Sequence, residues 1–142
     1  MQKLTKPTRN EDVKRTWHHV DVGGKVIGRV AGEIALLLIG KTKPSFSRNI
    51  DGGDYVVVTN AATVVATGKK EVTKMYANYS GYPGGLKEKQ LRLVRIEKPT
   101  LIIRHAVMGM LPKNKLRDRM ITRLFIYAGA EHPYQTKIGT ME

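Results

Sequence analysis

The sequence predicts an α/β fold, and three observations carry that expectation. A strand-like stretch and a helical pattern open the ordered part of the chain, and two β-branched apolar runs then stand on either side of a second helical pattern. That alternation of strand, helix, strand, helix and strand favours α/β layering over an all-β barrel or a helical bundle. The chain is 41% hydrophobic over 142 residues, enough for one domain with a buried core and too much for a basic disordered tail.

The elements follow in order. Residues 1–15 are polar and carry Lys3, Lys6, Arg9, Lys14 and Arg15, so they read as a loose or partner-ordered N-terminal arm, with the domain occupying 16–142. The β-compatible run 16–20 is stopped by Asp21 and the Gly23-Gly24 pair, which predicts a strand and a turn. Residues 28–39, GRVAGEIALLLI, place Val30, Ile34 and Leu37 on one helical stripe with Ala31, Ala35 and Leu38 beside it. Only Arg29 and Glu33 demand solvent there, so the helix is mostly buried, and Gly40 provides a C-terminal stop. The run 54–59, DYVVVT, is continuously apolar after its first residue, as expected of a strand covered on both faces, and 124–127, LFIY, has the same character. Between them, 100–111 has a helical pattern, introduced by Pro99 and closed by Pro112. The stretch 63–79 is ambiguous.

The charge is the strongest functional signal. Twenty-five Lys and Arg against 12 Asp and Glu give a formal net charge of +13, and the pI is near 10.1. Such an excess calls for a polyanionic partner, and it gathers in loops and termini around a neutral core. Without cysteine there is no disulfide, thiolate metal site or cysteine nucleophile. No run approaches the roughly 18 to 20 apolar residues that span a bilayer, and no helix pairs a lysine face with an exposed aromatic face. No signal-peptide pattern is present, so the expected location is cytoplasmic, with no membrane partner.

Several candidate sites compete with plainer readings. Gly40-Lys41-Thr42 resembles the end of a phosphate-binding loop, but position 35 is Ala where that loop needs glycine, and the triplet follows a helix instead of opening one. Gly23 to Gly28 lies between strand and helix, where backbone amides could meet a phosphate beside Arg29; a tight turn explains the same glycines. The segment 76–87, YANYSGYPGGLK, offers Tyr76, Tyr79 and Tyr82 for stacking on bases, Gly84 and Gly85 for close backbone approach, and Lys87 with Lys89 for phosphate. These tyrosines could equally pack locally. In 113–123 a helix would turn Leu116 and Met120 inward and fan Lys113, Lys115, Arg117, Arg119 and Arg123 outward, an array better suited to phosphate than to mere solubility. His18 and His19 alternate across a strand and cannot share a metal, and Asp51 with Asp54 lacks a nucleophile or motif. Neither cofactor, metal nor small-molecule substrate is expected. No helix-turn-helix or zinc finger presents a helix for duplex DNA, so structured RNA is the sensible target.

The blocks DVGGKVIGRVAGEIA at 21–35, GKTKPSF at 40–46, GGDYVVVTNA at 52–61, TGKK at 67–70, GYPGGLK at 81–87, AVMGMLPKNKL at 106–116 and YAGAEHPY at 127–134 stand in an order and spacing that closely resembles the bacterial-type ribosomal protein L13 family, over about 14–139. The chain departs from that pattern at Tyr79-Ser80, where His-Thr is common, at Arg117, often glycine, and after Pro133. The resemblance implies a compact three-layer α/β/α domain with a small, largely parallel central sheet and a C-terminal extension. It also implies a structural, non-enzymatic constituent of the large ribosomal subunit that binds large-subunit ribosomal RNA, adjoins neighbouring large-subunit proteins and acts early in assembly. Matched residue by residue, the 81–87 turn and the stretch around 109–116, including Asn114, would face RNA. Arg29, Lys41 and Lys43, and Lys69 and Lys70 of the TGKK block, are further candidates. An RNA-binding regulator acting off the ribosome and a small phosphate-substrate enzyme are the alternatives.

Overall fold

The computed structural model describes residues 7–138. Strand β1 (Trp17–Asp21) leads into helix α1 (Ile27–Ile39), and β2 (Tyr55–Thr59) pairs parallel with β1, Trp17 opposite Tyr55 and Val20 opposite Val58. After a 3₁₀ turn at Ala61–Thr63 come the short α2 (Lys70–Thr73), β3 (Met75–Tyr79) and β4 (Leu86–Gln90), an antiparallel hairpin. Helices α3 (Leu91–Glu97), α4 (Pro99–Met110) and α5 (Leu116–Ile121) precede β5 (Leu124–Ile126), which adds parallel to β2, and the short α6 (Gln135–Ile138) follows.

The central sheet has the order β1-β2-β5, advancing one way. Because crossovers between parallel strands are right-handed, an order that never reverses puts both connecting helices on one face. There α1 packs on α4, and Val30, Ile34, Leu38, Val56, Val58, Ile103, Val107 and Leu124 form the main core. The same order lacks the reversal at which open α/β sheets form their ligand crevice. The other face carries Trp17 stacked on Tyr55 (centroids 4.5 Å apart) and Phe125 (5.7 Å), and the C-terminal segment covers it by laying Tyr134 on Trp17 at 5.0 Å. Helices therefore flank a small parallel sheet, as expected, although one outer layer is only α6 and its lead-in. Val56, Val57 and Val58 are fully buried, consistent with a strand covered on both faces.

Helix α1 ends as its glycine predicts. Gly40 adopts φ 77° and donates to the carbonyls of Leu36 and Leu37 at 3.0 and 3.2 Å. The loop then folds back so closely that a Cβ on Gly53 would lie 1.7 Å from the Leu38 carbonyl oxygen.

Three expectations are corrected, and one stretch left open is resolved. Residues 76–87 are not one loop, since half of them belong to the two arms of the hairpin around a turn at 80–85; polar and exposed residues on both strands hide its two-residue period. The ambiguous stretch resolves into a 3₁₀ turn, a bridge at Val65, a single helical turn and a strand. The described part of the arm is docked, with Thr8 donating to the Ser45 carbonyl at 3.1 Å and the Arg15 guanidinium donating to the carbonyls of Gly53 (2.6 Å) and Asp51 (3.0 Å). Lys3 and Lys6 of that arm, and 139–142 of the extension, lie outside the described residues. Helix α5 spans only 116–121, with Met120 buried and Leu116 packed against the core.

Candidate nucleic-acid interface

Helix α4 is the spine of the candidate interface. Its buried residues Ile102, Ile103 and Val107 face the protein, and side chains on its other side line three adjoining cavities. The first, about 520 Å³, opens between the hairpin and α3–α4, with Lys98, Leu101 and His105 along one wall. The second, about 340 Å³, shares His105 and continues past Ala106 and Gly109 to Met110, bordered by Gly28, Lys70 and Lys74. The third, about 430 Å³, shares Met110 and ends at Pro112 and Asn114, with Lys41, Phe46 and Arg48 opposite. From Lys98 to Pro112 the track runs about 21 Å at 1.5 Å per residue. Seven Lys and Arg line it (Lys41, Arg48, Lys70, Lys74, Lys87, Lys89 and Lys98) against one carboxylate, Glu97.

Sequence-distant candidates therefore meet. Lys41 and Asn114, from the GKTKPSF and MLPKNKL blocks, line one cavity, and exposed Lys113 and Lys115 flank Asn114. Lys87 and Lys89 line the hairpin cavity, Lys70 the middle one, and exposed Lys69 caps α2 beside it. Arg29 is exposed in the first turn of α1, next to Gly28 of the middle cavity. Tyr79 and Tyr82 are exposed, but Tyr79 pairs with Leu86 on the hairpin face turned away from the track. Gly84 takes φ 71° with open space around it, whereas a Cβ on Gly85 would meet the Ser80 hydroxyl at 2.0 Å. Thus Gly84 and Gly85 are needed first for the turn. Exposed Arg119 lines a separate cavity of about 220 Å³ with Arg15 and Asp51, and Arg117 is half-buried with its Nε enclosed.

Two candidate cations point inward and are corrected. Arg123 is buried: its guanidinium grips both carboxylate oxygens of Asp51 and donates to the carbonyls of Leu38 (3.1 Å) and Arg119 (3.3 Å). Lys43 donates to the Asp54 carboxylate and to the carbonyls of Lys14 (2.7 Å) and Gly52 (3.1 Å). Asp54 also accepts from the Thr16 amide and contacts His18 Nε2, each at 2.9 Å. Burial pushes its carboxyl up, but Lys43, the Thr16 amide and His18 together hold it below the usual carboxylate range.

The Gly23-Gly24 turn is wired inward too. The Gly23 amide donates to Asp21, Gly24 to the Thr63 carbonyl, Lys25 to Val22 and Ile27 to Val65. The Gly23 amide, then the Asn60 side chain, lower the Asp21 pKa. These bonds account for the tight turn, with the Gly23, Gly24, Lys25 and Ile27 amides already engaged. Gly40-Lys41-Thr42 follows a helix, with the Lys41 amide turned back to Leu36. His18 and His19 sit on opposite sides of β1, held by Asp54 and Thr59 respectively.

Sequence reasoning missed Arg48, Lys74, Lys98 and His105 as lining residues. Arg48 and Lys98 stand in no charge run, and His105 reads as a core residue of an apolar helix, yet it is exposed at the junction of two cavities. Tyr76 is half-buried against His105, and burial raises its hydroxyl pKa.

Comparison with known proteins sets this surface in context. A family model described as "Ribosomal protein L13" matches residues 15–133, which includes the whole track. Among similar proteins, the "Large ribosomal subunit protein uL13" of Caldanaerobacter subterraneus is 52% identical over 134 residues, covering 94% of this chain and 92% of that one. The protein of the same description from Clostridioides difficile is 55% identical over 123 residues (87% and 86% covered), and that from Alcanivorax borkumensis 50% over 130 (92% of each).

Proposed function

Because this chain belongs to the ribosomal protein L13 family, we propose that it binds large-subunit ribosomal RNA along the α4 track and holds that RNA in place during large-subunit assembly. Its role is structural: it is a uL13-type constituent of the large ribosomal subunit. The carrying observation is the family match over 15–133, which spans all seven cations of the track.

Physically, the track suits a backbone reader. Lysines dispersed over about 21 Å can follow consecutive phosphates, and binding of this kind positions an RNA more than it reads sequence. Lys41, Lys69, Lys70, Lys87, Lys113, Lys115 and Arg29 are the seven proposed phosphate contacts, with Asn114 as a hydrogen-bonding partner, Lys89 beside them in its ion pair with Glu97, and Arg117 and Arg119 at the margin. Tyr79 and Tyr82, on the outer face of the hairpin and its turn, offer rings to a second RNA segment or to a neighbouring large-subunit protein. Among the described residues no helix is long and apolar enough to cross a membrane. The proposed location is the cytoplasm, within the large subunit.

The test is sedimentation of a tagged chain from lysate, with RNA crosslinks mapped in the large-subunit peak. Co-sedimentation, with crosslinks at 41–48, 69–74, 87–98 and 113–119, is expected. Association of the purified chain with deproteinised large-subunit RNA should weaken with salt at a log–log slope of about −5 to −6, seven contacts at 0.7 to 0.9 each. Recovery only in free-protein fractions, bound to a messenger leader, would instead establish the regulator.

A further inference from the structure

We propose that the cavity between the hairpin and α3–α4 is a nucleobase pocket, taking one unpaired base of the bound RNA against Tyr76 and His105, with Asn78 reading its edge. This inference rests on the RNA-binding reading above and adds to it a specific site and ligand.

The two-residue period of the hairpin builds the site. Tyr76 pairs with Lys89 and Asn78 with Lys87, so all four share the face that lines the cavity. Met75, Tyr79 and Leu86, the exposed apolar residues, fall outside the cavity lining. Across the cavity stand Lys98 and His105. The Tyr76 and His105 rings touch each other, 5.4 Å apart and tilted by 52°, and both line the cavity, so they present an aromatic wall to it. Unpaired bases are bound in this manner, on aromatic faces with their edges met by polar side chains. The volume, about 520 Å³, falls in the roughly 300–1,000 Å³ range of small-ligand sites.

The charges divide the site between base and backbone. Glu97 lines the same cavity and receives the Lys89 ammonium at 2.6 Å, so the charge of Lys89 is offset there. A carboxylate beside an amide suits a base, whose exocyclic amine can donate to it. Lys87 and Lys98 remain for the flanking phosphates. Among the described residues, no side-chain hydrogen bond engages the Asn78 amide, and His105 has only its ring contact with Tyr76. No hydrogen bond fixes either side chain among the described residues. The basic rim and single carboxylate favour RNA over a protein segment as occupant.

The test uses the full chain and deproteinised large-subunit ribosomal RNA, with affinity measured at several salt concentrations and thermal unfolding as the check on folding. His105→Ala and Asn78→Ala should each weaken binding roughly 5- to 150-fold while leaving the salt slope unchanged, since neither removes a Lys or Arg. Lys87→Ala should instead make the slope shallower by about 0.7 to 0.9. In the wild-type complex, ultraviolet crosslinking and mass spectrometry should find single-nucleotide adducts on Tyr76 or His105, a readout independent of any variant's folding. The pocket is overturned, with the wider reading intact, if wild type binds in a salt-dependent way but both substitutions change affinity by less than about twofold. Adducts confined to 113–119 or to Tyr82 would overturn it equally. If wild type itself fails to bind this RNA, the wider reading falls and the pocket with it.

Discussion

Replacing Arg123 with alanine tests the division between cations that hold the fold and cations that face RNA. Arg123 ties three distant segments together, because its guanidinium reaches Asp51 in the loop before β2, the Leu38 carbonyl at the end of α1 and the Arg119 carbonyl in α5. Removing one partner of a buried ion pair costs about 3–5 kcal/mol, since the remaining charge is left uncompensated. Here Asp51 keeps the Arg15 guanidinium at 3.8 Å, which places the expected loss toward the lower end, about 3 kcal/mol. Unfolding entropy near 2.1 cal/mol/K per residue amounts to about 0.3 kcal/mol/K for this chain, so Tm should fall by roughly 10 °C. Calorimetry or circular dichroism would measure the shift. Where the variant is still folded, RNA affinity and its salt slope should match wild type. Arg119→Ala, one turn earlier and exposed, should show the reverse: Tm within about 2 °C, and a slope shallower by about 0.7 to 0.9 if Arg119 meets a phosphate. An Arg123→Ala protein with unchanged Tm and a shallower slope would refute the assignment of Arg123 to the interior.

Other expectations follow from the same structure. Replacing Lys41, Lys113 and Lys115 together with alanine should make the salt slope of RNA binding shallower by about 2 to 2.7 at near-constant Tm, measured by filter binding. Asp54 titrates below its ordinary value in the folded state, so its contribution to stability is present above pH 3.8 and is lost as pH falls through the folded pKa. Asp54→Asn should therefore lower stability by about 1–3 kcal/mol at neutral pH and less in acid, flattening the acid limb of a urea-unfolding series. Gly53→Ala would set a Cβ against the Leu38 backbone; a loss of about 3 kcal/mol is expected, read as soluble yield and Tm. Tyr134→Ala should cost about 1–2 kcal/mol and shift emission from Trp17, the single tryptophan, to the red as its ring is uncovered.

Periodicity and composition were enough for the layered α/β class, the helix at 28–39 ending on Gly40, the covered strand at 54–59 and the expectation of a polyanionic partner. Each depends on a local pattern: apolar spacing along a helix, an unbroken β-branched run, or an excess of charge that no core can absorb. The hairpin escaped such reading because its strands are exposed on most positions, leaving little apolar alternation to mark it. Tertiary structure alone decided the direction of each cation. Arg119 and Arg123 stand in the same basic run, but Arg123 has its carboxylate 72 residues upstream, a pairing that no spacing within the run reveals. Lys43 was likewise taken by Asp54, which local sequence does not single out as a buried acceptor. The track itself also depends on tertiary structure, because α4 joins cavities whose other walls come from the 41–48 loop, the start of α1, α2 and the hairpin. Local chemistry established that the protein carries excess positive charge, while long-range packing determined which of those charges remain free to meet a phosphate.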